Sequence, residues 1–193
     1  MIKIGEKIQD MAFEVFQAST PKDEGKISKV KLSDYKNKWV VLLFYPADFT
    51  FVCPTELEDA ANHYKEFEKL GAEIISVSTD TAFVHKAWHD TSEAIKKITY
   101  PMAADPTGKL CKYFDTYIEE EGLSFRASFI IDPDGVLKSA EIHDNSIGRN
   151  IKEILRKLQA SKFVREHKGL VCPASWEPGK DTLKPGVKLI GKI

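Results

Sequence analysis

Hydrophobic positions along the chain alternate between dense runs and helical spacings. The densest run, Trp39-Val-Val-Leu-Leu-Phe-Tyr45, is β-branched and aromatic with no polar alternation. Such a run predicts a strand buried on both faces, as at the centre of an α/β sheet. Ala72–Ser78 and Ala127–Ile131 predict two more strands. The second runs into Asp132-Pro-Asp-Gly135, whose proline and glycine suit a type I turn, and Val136–Ile142 returns as its hairpin partner. Between Pro54 and Leu70, the residues Leu57, Ala60, Ala61, Tyr64, Phe67 and Leu70 recur at spacings of three and four. They form one face of an amphipathic helix, and Gly71 is its stop signal. Thr81–Ile95 and Ile147–Leu158 predict further helices. Strand, helix, strand in this order predicts a right-handed βαβ unit and an α/β fold class.

The pattern fades after about His167. Residues 168–193 hold three prolines, Pro173, Pro178 and Pro185, and four glycines, with little helical period. This segment reads as an arm lying across a surface, such as that of another subunit. The expected organisation is a main domain over residues 1–160 and a C-terminal extension over 161–193.

Composition narrows the class. The chain has 193 residues, 42% hydrophobic and 30% charged, which describes a soluble globular domain rather than a disordered one. The 28 Lys+Arg nearly balance the 29 Asp+Glu. That balance offers no electrostatic attraction for nucleic acid or an anionic membrane. No apolar run is long enough to span a bilayer. The opening Met1-Ile-Lys-Ile-Gly-Glu lacks the basic and apolar blocks of a signal peptide, so the expected location is the cytoplasm.

Three cysteines, Cys53, Cys111 and Cys172, make an odd set for a secreted disulfide framework. Cys53 stands where the central strand gives way to the amphipathic helix, and catalytic groups of open α/β sheets favour the carboxyl ends of strands. In a helix's first turn it also sees unpaired N–H groups and the positive end of the dipole, which favour a thiolate. Pro54 is tolerated there because the first turn's N–H groups lack helical acceptors. Thr50 precedes Cys53 by three residues, so a helical turn would bring its hydroxyl to the sulfur. The bland alternative is a small buried Cys53 with Thr50 as a cap.

Other signals are weaker. Cys111, in Leu110-Cys-Lys-Tyr-Phe114, reads as a packed residue on a short helix. His85-Lys-Ala-Trp-His89 has metal-helix spacing, but Lys86 stands where a zinc hydrolase needs Glu, and the pair reads as solvated. The cysteines lack zinc spacing, so no metal is expected. A thioredoxin-type Cys-x-x-Cys dithiol is excluded, because Thr50 occupies the first cysteine's place.

Pro46-Ala-Asp-Phe-Thr50-Phe-Val-Cys53 resembles the peroxiredoxin signature Pro-x-x-x-Thr-x-x-Cys. Phe125-Arg126-Ala-Ser-Phe-Ile-Ile-Asp132 resembles the family segment with the active-site arginine, and Val171-Cys172-Pro173 the resolving motif of its typical two-cysteine class. The ending Leu183–Ile193 is similar to that of bacterial alkyl hydroperoxide reductases. The resemblance implies a thioredoxin-like fold: a mixed central sheet flanked by helices, with a C-terminal arm. It also implies a thiol-dependent peroxidase. In that reading Cys53 is the peroxidatic nucleophile and Cys172 the resolving thiol. Thr50 and Arg126 donate to sulfur and peroxide, Pro46 shields the sulfur, and Glu56 orients the arginine. Arg149 matches a further recurring arginine. On the residues alone, Arg126 is equally an exposed charge at a strand entry, Arg149 a solvated one, and Glu56 a first-turn acid favoured by the dipole.

The resemblance further implies an intersubunit Cys53–Cys172 disulfide, a homodimer assembled into a ring of five dimers, and no bound cofactor. The electrons would come from a dithiol partner, a flavoprotein disulfide reductase or thioredoxin. A ring-forming holdase chaperone and a one-cysteine peroxidase are the competing readings. Eukaryotic relatives carry a Gly-Gly-Leu-Gly loop and a Tyr-Phe tail that delay disulfide formation. Here the loop reads Ile95–Pro101 and the chain ends Gly191-Lys-Ile193, so resistance to overoxidation is expected.

Overall fold

The computed structural model describes residues 2–192. Nine strands and four α-helices follow one another along these residues: β1 (Ala12–Gln17), β2 (Lys26–Lys31), β3 (Trp39–Phe44), α1 (Cys53–Lys69), β4 (Ala72–Ser78), α2 (Ala82–Thr91), β5 (Met102–Ala104), α3 (Lys109–Tyr113), β6 (Tyr117–Ile118), β7 (Leu123–Ser124), β8 (Arg126–Ile131), β9 (Leu137–His143) and α4 (Ile151–Glu166). Seven strands form one sheet in the order β2-β1-β5-β4-β3-β8-β9, and β6 and β7 pair separately. The sheet is mixed, as expected. β3 runs parallel to β4 and β4 to β5, while β8 is antiparallel to both β3 and β9.

β3 is buried at all six positions, which is why its sequence shows no alternation. Val40, Leu42 and Phe44 join Ile75, Val77, Phe114 and Phe129 in one cluster, each at most 4% exposed. Phe44, Phe114 and Phe129 meet there ring to ring, with centroids 4.7–5.5 Å apart. Burying side chains of this size stabilises the fold by about 1.5–3 kcal/mol each.

α1 connects the parallel pair β3 and β4 and packs on β4. Its buried face is Leu57, Ala60, Tyr64 and Phe67, whereas Ala61 and Leu70 stay half-buried. The helix stops at Gly71, which takes φ +75° and donates its N–H to the Glu68 carbonyl. The β8–β9 turn closes with Gly135 N–H donating to the Asp132 carbonyl, and the Asp132 carboxylate accepts from the Asp134 and Val136 N–H groups. Gly135 sits at φ +81°, a conformation that the turn requires of it.

Three expectations needed adjustment. α2 ends at Thr91, four residues early, because Ser92 turns to an extended backbone (φ −104°, ψ 121°), and Ile95 belongs instead to a three-ten turn over Ile95–Lys97. α4 begins at Ile151, after the expected start at Ile147, and runs eight residues past Leu158 to Glu166. His85 and His89 are buried, at 0% and 1% exposed, rather than solvated: α2 turns that face toward β1 and β5.

The chain divides into two compact units, residues 1–151 and 152–193. In the second, Phe163 at the end of α4 stacks on His167 and meets Trp176 at a centroid distance of 4.9 Å. Beyond α4 the regular structure reduces to a bridge between Val171 and Leu183 and a three-ten turn over Val187–Leu189. No helix among the described residues is long and apolar enough to cross a membrane.

Candidate active site

Cys53 is the first residue of α1, and Pro54 follows it. Val52 occupies the N-cap position without a side-chain hydrogen bond. Pro54 has no N–H and the Thr55 N–H donates to the Val52 carbonyl at 3.1 Å, so what the helix start offers the sulfur is the positive end of its dipole. The Cys53 side chain is buried, and Arg126, the first residue of β8, donates from Nη1 to its sulfur at 3.2 Å. Arg126 is itself buried, not the exposed charge that the residues alone allowed. Asn145 fixes it: the Asn145 backbone carbonyl accepts from Nε at 2.9 Å, and its side-chain oxygen accepts from the Arg126 N–H at 3.1 Å.

Glu56, one turn into α1, bridges two guanidinium groups. Its Oε2 accepts from Arg126 Nη1 at 2.8 Å and from Arg149 Nη2 at 3.0 Å. Its Oε1 accepts from Arg149 Nε at 2.9 Å and from the Arg149 backbone N–H at 2.7 Å. Burial pushes the Glu56 carboxyl up, but the hydrogen bonds and charge of Arg149, with the charge of Arg126, outweigh it and hold the group below its usual range. Glu56 is thus a buried ion-pair partner rather than a dipole-compensating surface acid. Arg149, whose side chain is 1% exposed, is equally far from a solvated charge.

The charges of this cluster do not cancel on their own. Two guanidinium groups face one carboxylate, which leaves one positive charge in a buried site. Buried charges require partners, and the group next in line is the Cys53 sulfur.

The loop from β3 to α1 carries the remaining signature residues. Pro46 is buried at its start. The Thr50 hydroxyl does not reach the sulfur: it donates to the Ala47 carbonyl at 2.8 Å. The physical reason is that α1 begins only at Cys53, so Thr50 lies outside the helix and helical spacing does not apply. Its proton is committed, and its oxygen is left as an acceptor. Phe49, in the same loop, has φ +55°, costly for a non-glycine residue by about 1–3 kcal/mol. The loop is held in place by Asp48, which accepts from the Tyr45 hydroxyl at 2.7 Å and donates its N–H to Asp80 at 2.8 Å.

The other two cysteines differ. Cys111 is buried, and burial with the adjacent Asp105 pushes its thiol up to about 12, so it is a packed residue as expected. Cys172 belongs to the second unit, where it is half-buried and its thiol lies 4.0 Å from the Ala160 carbonyl. Burial raises its pKa, against a smaller opposing effect of Arg156. All three thiols are free. Among the described residues no cluster suits a metal ion.

Comparison with known proteins agrees with this site. The AhpC/TSA family model matches residues 4–140, and the model for the C-terminal domain of 1-Cys peroxiredoxin matches residues 160–190, a span that here contains Cys172. Alkyl hydroperoxide reductase C of Staphylococcus aureus is 52% identical over 177 residues, 92% of this chain and 93% of that protein. The Staphylococcus epidermidis protein of the same name is 51% identical over 92% and 93%. Among solved structures, Enterococcus faecalis AhpC superposes with a TM-score of 0.84 at 47% identity, covering 90% of this chain and all of the other. Reduced 2-Cys peroxiredoxin of Plasmodium vivax superposes at 0.87 with 29% identity, over 96% and 94% of the chains. These neighbours establish the thioredoxin-like fold expected from the sequence. With a family model spanning most of its length and relatives half identical to it, the chain belongs to the AhpC/TSA family of peroxiredoxins, the thiol-dependent peroxidases.

Proposed function

We propose that Cys53 is the peroxidatic thiol and Cys172 the resolving one. The observation that carries this reading is the Cys53 sulfur at 3.2 Å from Arg126 Nη1, inside a cluster one negative charge short. The thiolate attacks the terminal oxygen of a peroxide, forming the S–O bond as the O–O bond breaks. The O–O electron pair leaves on the other oxygen, which takes a proton to become water or an alcohol. Arg126 stabilises the charge that builds on the oxygens without reorganising, because Asn145 and Glu56 already fix it. The Thr50 oxygen, as an acceptor, orients the peroxide O–H, and Pro46 keeps bulk water from the sulfur.

Cys53 is left as a sulfenic acid. The Cys172 thiol attacks that sulfur, a disulfide forms and water departs. A dithiol partner then reduces the disulfide by exchange. The balance is one peroxide and two thiols to one disulfide, one alcohol or water, and one further water. Hydrogen peroxide and organic hydroperoxides are the substrates, in keeping with the names of the relatives.

The finer points of the proposal follow the family resemblance. The disulfide joins Cys53 of one subunit to Cys172 of its partner, the dimers assemble five to a ring, and the protein works in the cytoplasm. The electron donor is a protein dithiol, a flavoprotein disulfide reductase or thioredoxin.

The test is a non-reducing gel with intact mass after one equivalent of hydrogen peroxide, on wild type, Cys53→Ser and Cys172→Ser. A covalent dimer in wild type alone, with Cys172→Ser stalled as a Cys53 sulfenic acid, is expected. A monomer with an internal disulfide overturns the intersubunit assignment, and an unreacted Cys53 overturns the whole reading.

A further inference from the structure

His85 and His89 lie one turn apart on α2, and their surroundings differ in kind. His89 Nε2 faces the Ile98 carbonyl at 3.2 Å, while its Nδ1 has no hydrogen-bond partner. His85 has an acceptor at each ring nitrogen: the Ala103 carbonyl at 3.1 Å from Nε2 and Asp48 Oδ2 at 2.7 Å from Nδ1. A carbonyl only accepts, so Nε2 carries a proton. A second proton must stand between Nδ1 and Oδ2, because a bare nitrogen lone pair against a carboxylate oxygen repels at that distance. Both side chains are 0% exposed, so no water substitutes for that proton.

Asp48 is where this bond has consequences. Its other carboxylate oxygen accepts from Tyr45, and its N–H donates to Asp80, so α2, the end of β3 and the loop after β4 converge on one residue. Asp48 lies between Pro46 and Thr50, and Phe49 beside it is held at φ +55°. Trp88, one turn after His85 on α2, supports the same loop, with its ring 5.9 Å from Phe49. A loop that holds a disfavoured backbone conformation persists only while its surroundings over-determine it.

We propose that His85 is a positioning residue for the peroxide reaction: through the shared proton it fixes Asp48, and Asp48 fixes the Pro46–Thr50 loop that walls the Cys53 pocket. The inference rests on the reading of Cys53 as the reacting thiol. It gives His85 a role that is neither metal binding nor simple packing.

Two variants separate the bonds. In His85→Asn the side-chain amide stands where Nδ1 was and still donates to Asp48; in His85→Gln it stands where Nε2 was and serves Ala103 only. Stopped-flow measurement of Cys53 oxidation by peroxide in the full chain is expected to show about a tenfold slower bimolecular step for His85→Gln and a loss of at most about threefold for His85→Asn. The later disulfide-forming step is expected to hold its rate in both. A wild-type rate in His85→Gln, or equal losses in the two variants, overturns the proposal. The 1H and 15N spectra of histidine-labelled wild type, which need no variant to fold, are expected to show a proton on His85 Nε2 and a strongly deshielded proton shared between Nδ1 and Asp48, and the absence of that shared proton likewise overturns it. Cys53→Ser run alongside keeps the two readings apart: continued peroxide consumption there defeats the assignment of Cys53 and not that of His85.

Discussion

Arg149 grips both carboxylate oxygens of Glu56, with Nε on Oε1 at 2.9 Å and Nη2 on Oε2 at 3.0 Å, and adds its own backbone N–H to Oε1. Its remaining nitrogen, Nη1, donates to the Ala127 carbonyl on β8, one residue from Arg126. Arg149 therefore ties the first turn of α1 to the strand that carries Arg126. Lysine has no fork with which to make these bonds. Arg149→Met leaves the buried Glu56 with Arg126 alone, and removing one partner of such a pair costs about 3–5 kcal/mol. Urea unfolding is expected to show a loss of that size, together with slower oxidation of Cys53. An unchanged urea midpoint would contradict the geometry.

Arg126 makes the only hydrogen bond to the Cys53 sulfur among the described residues. Removing a preorganised donor of this kind costs about 10²–10³ in rate. Arg126→Met is expected to slow the peroxide step by that factor while the protein still folds. A kinetic loss below about fivefold, measured by stopped flow, would move the burden of charge stabilisation elsewhere.

Acid should weaken the fold through Glu56. Its carboxyl sits below the usual value of 4.5 in the folded chain, because the hydrogen bonds and charge of Arg149, helped by Arg126, outweigh the upward push of burial. The unfolded chain then binds the proton more readily. The stabilisation is fully present above the unfolded pKa and disappears as pH falls through the lower folded value. Exposed carboxylates such as Asp90 and Asp144 are also lowered, so the whole curve is not due to Glu56. The difference between wild type and Glu56→Gln isolates it: their urea midpoints should converge as pH drops below about 4.5 and stay apart at neutral pH. Parallel curves would remove Glu56 from the acid response.

What the sequence revealed depended on how local the determining interactions were. Trp39–Tyr45, the α1 face, Gly71 and the Asp132–Gly135 turn each depend on neighbours within a few positions, and each was found near its expected place. Strands β1, β2 and β5 were missed, since they lack long apolar runs and owe their existence to ladder partners elsewhere. Signature residues pointed to Cys53 and Arg126. Whether Glu56 and Arg149 were surface charges or a buried pair was undecidable, because the partners are 93 residues apart. His85 was misjudged for the same reason: Asp48 and Ala103 come from other elements, and nothing in its own helix announces them.

Cys111 provides a control within the same molecule. Both it and Cys53 are buried, but at Cys111 burial is joined by the charge of Asp105 and together they push the thiol up to about 12, whereas Cys53 has the Arg126 guanidinium at its sulfur. Native protein treated with peroxide is expected to carry no oxidation at Cys111, read by peptide mass spectrometry. Cys111→Ser should keep the full peroxidase rate. Oxidation at Cys111 before Cys53 would reverse the assignment of the reactive thiol.

Resolution demands motion at Cys53. Its side chain is buried, and a disulfide requires the two Cα atoms within about 7 Å. On the proposed cycle, the first turn of α1 must open before Cys172 of another subunit arrives. The bonds at its start are local: Val52 provides no side-chain cap and Pro54 has no N–H, so the turn is closed on the Val52 carbonyl by the Thr55 N–H at 3.1 Å, the Thr55 hydroxyl at 2.6 Å and the Glu56 N–H at 3.3 Å. Glu56 anchors the turn from its far side through Arg126 and Arg149. Opening therefore needs only the Val52–Thr55 end to release while Glu56 stays in place, and on the proposed cycle this lets Cys172 capture the sulfenic acid ahead of a second peroxide. The segment after α2 adds no brake of the Gly-Gly-Leu-Gly kind: a three-ten turn over Ile95–Lys97 leads to Tyr100, whose hydroxyl donates to the Leu57 carbonyl well inside α1 rather than at its first turn. Wild type at a few-fold excess of peroxide is therefore expected to form disulfide with almost no sulfinic acid, by intact mass after reduction. Cys172→Ser, with no resolving thiol, should accumulate sulfinic acid under the same conditions. Sulfinic acid in wild type at the level of Cys172→Ser would show that the first turn of α1 stays closed longer than its end bonds account for.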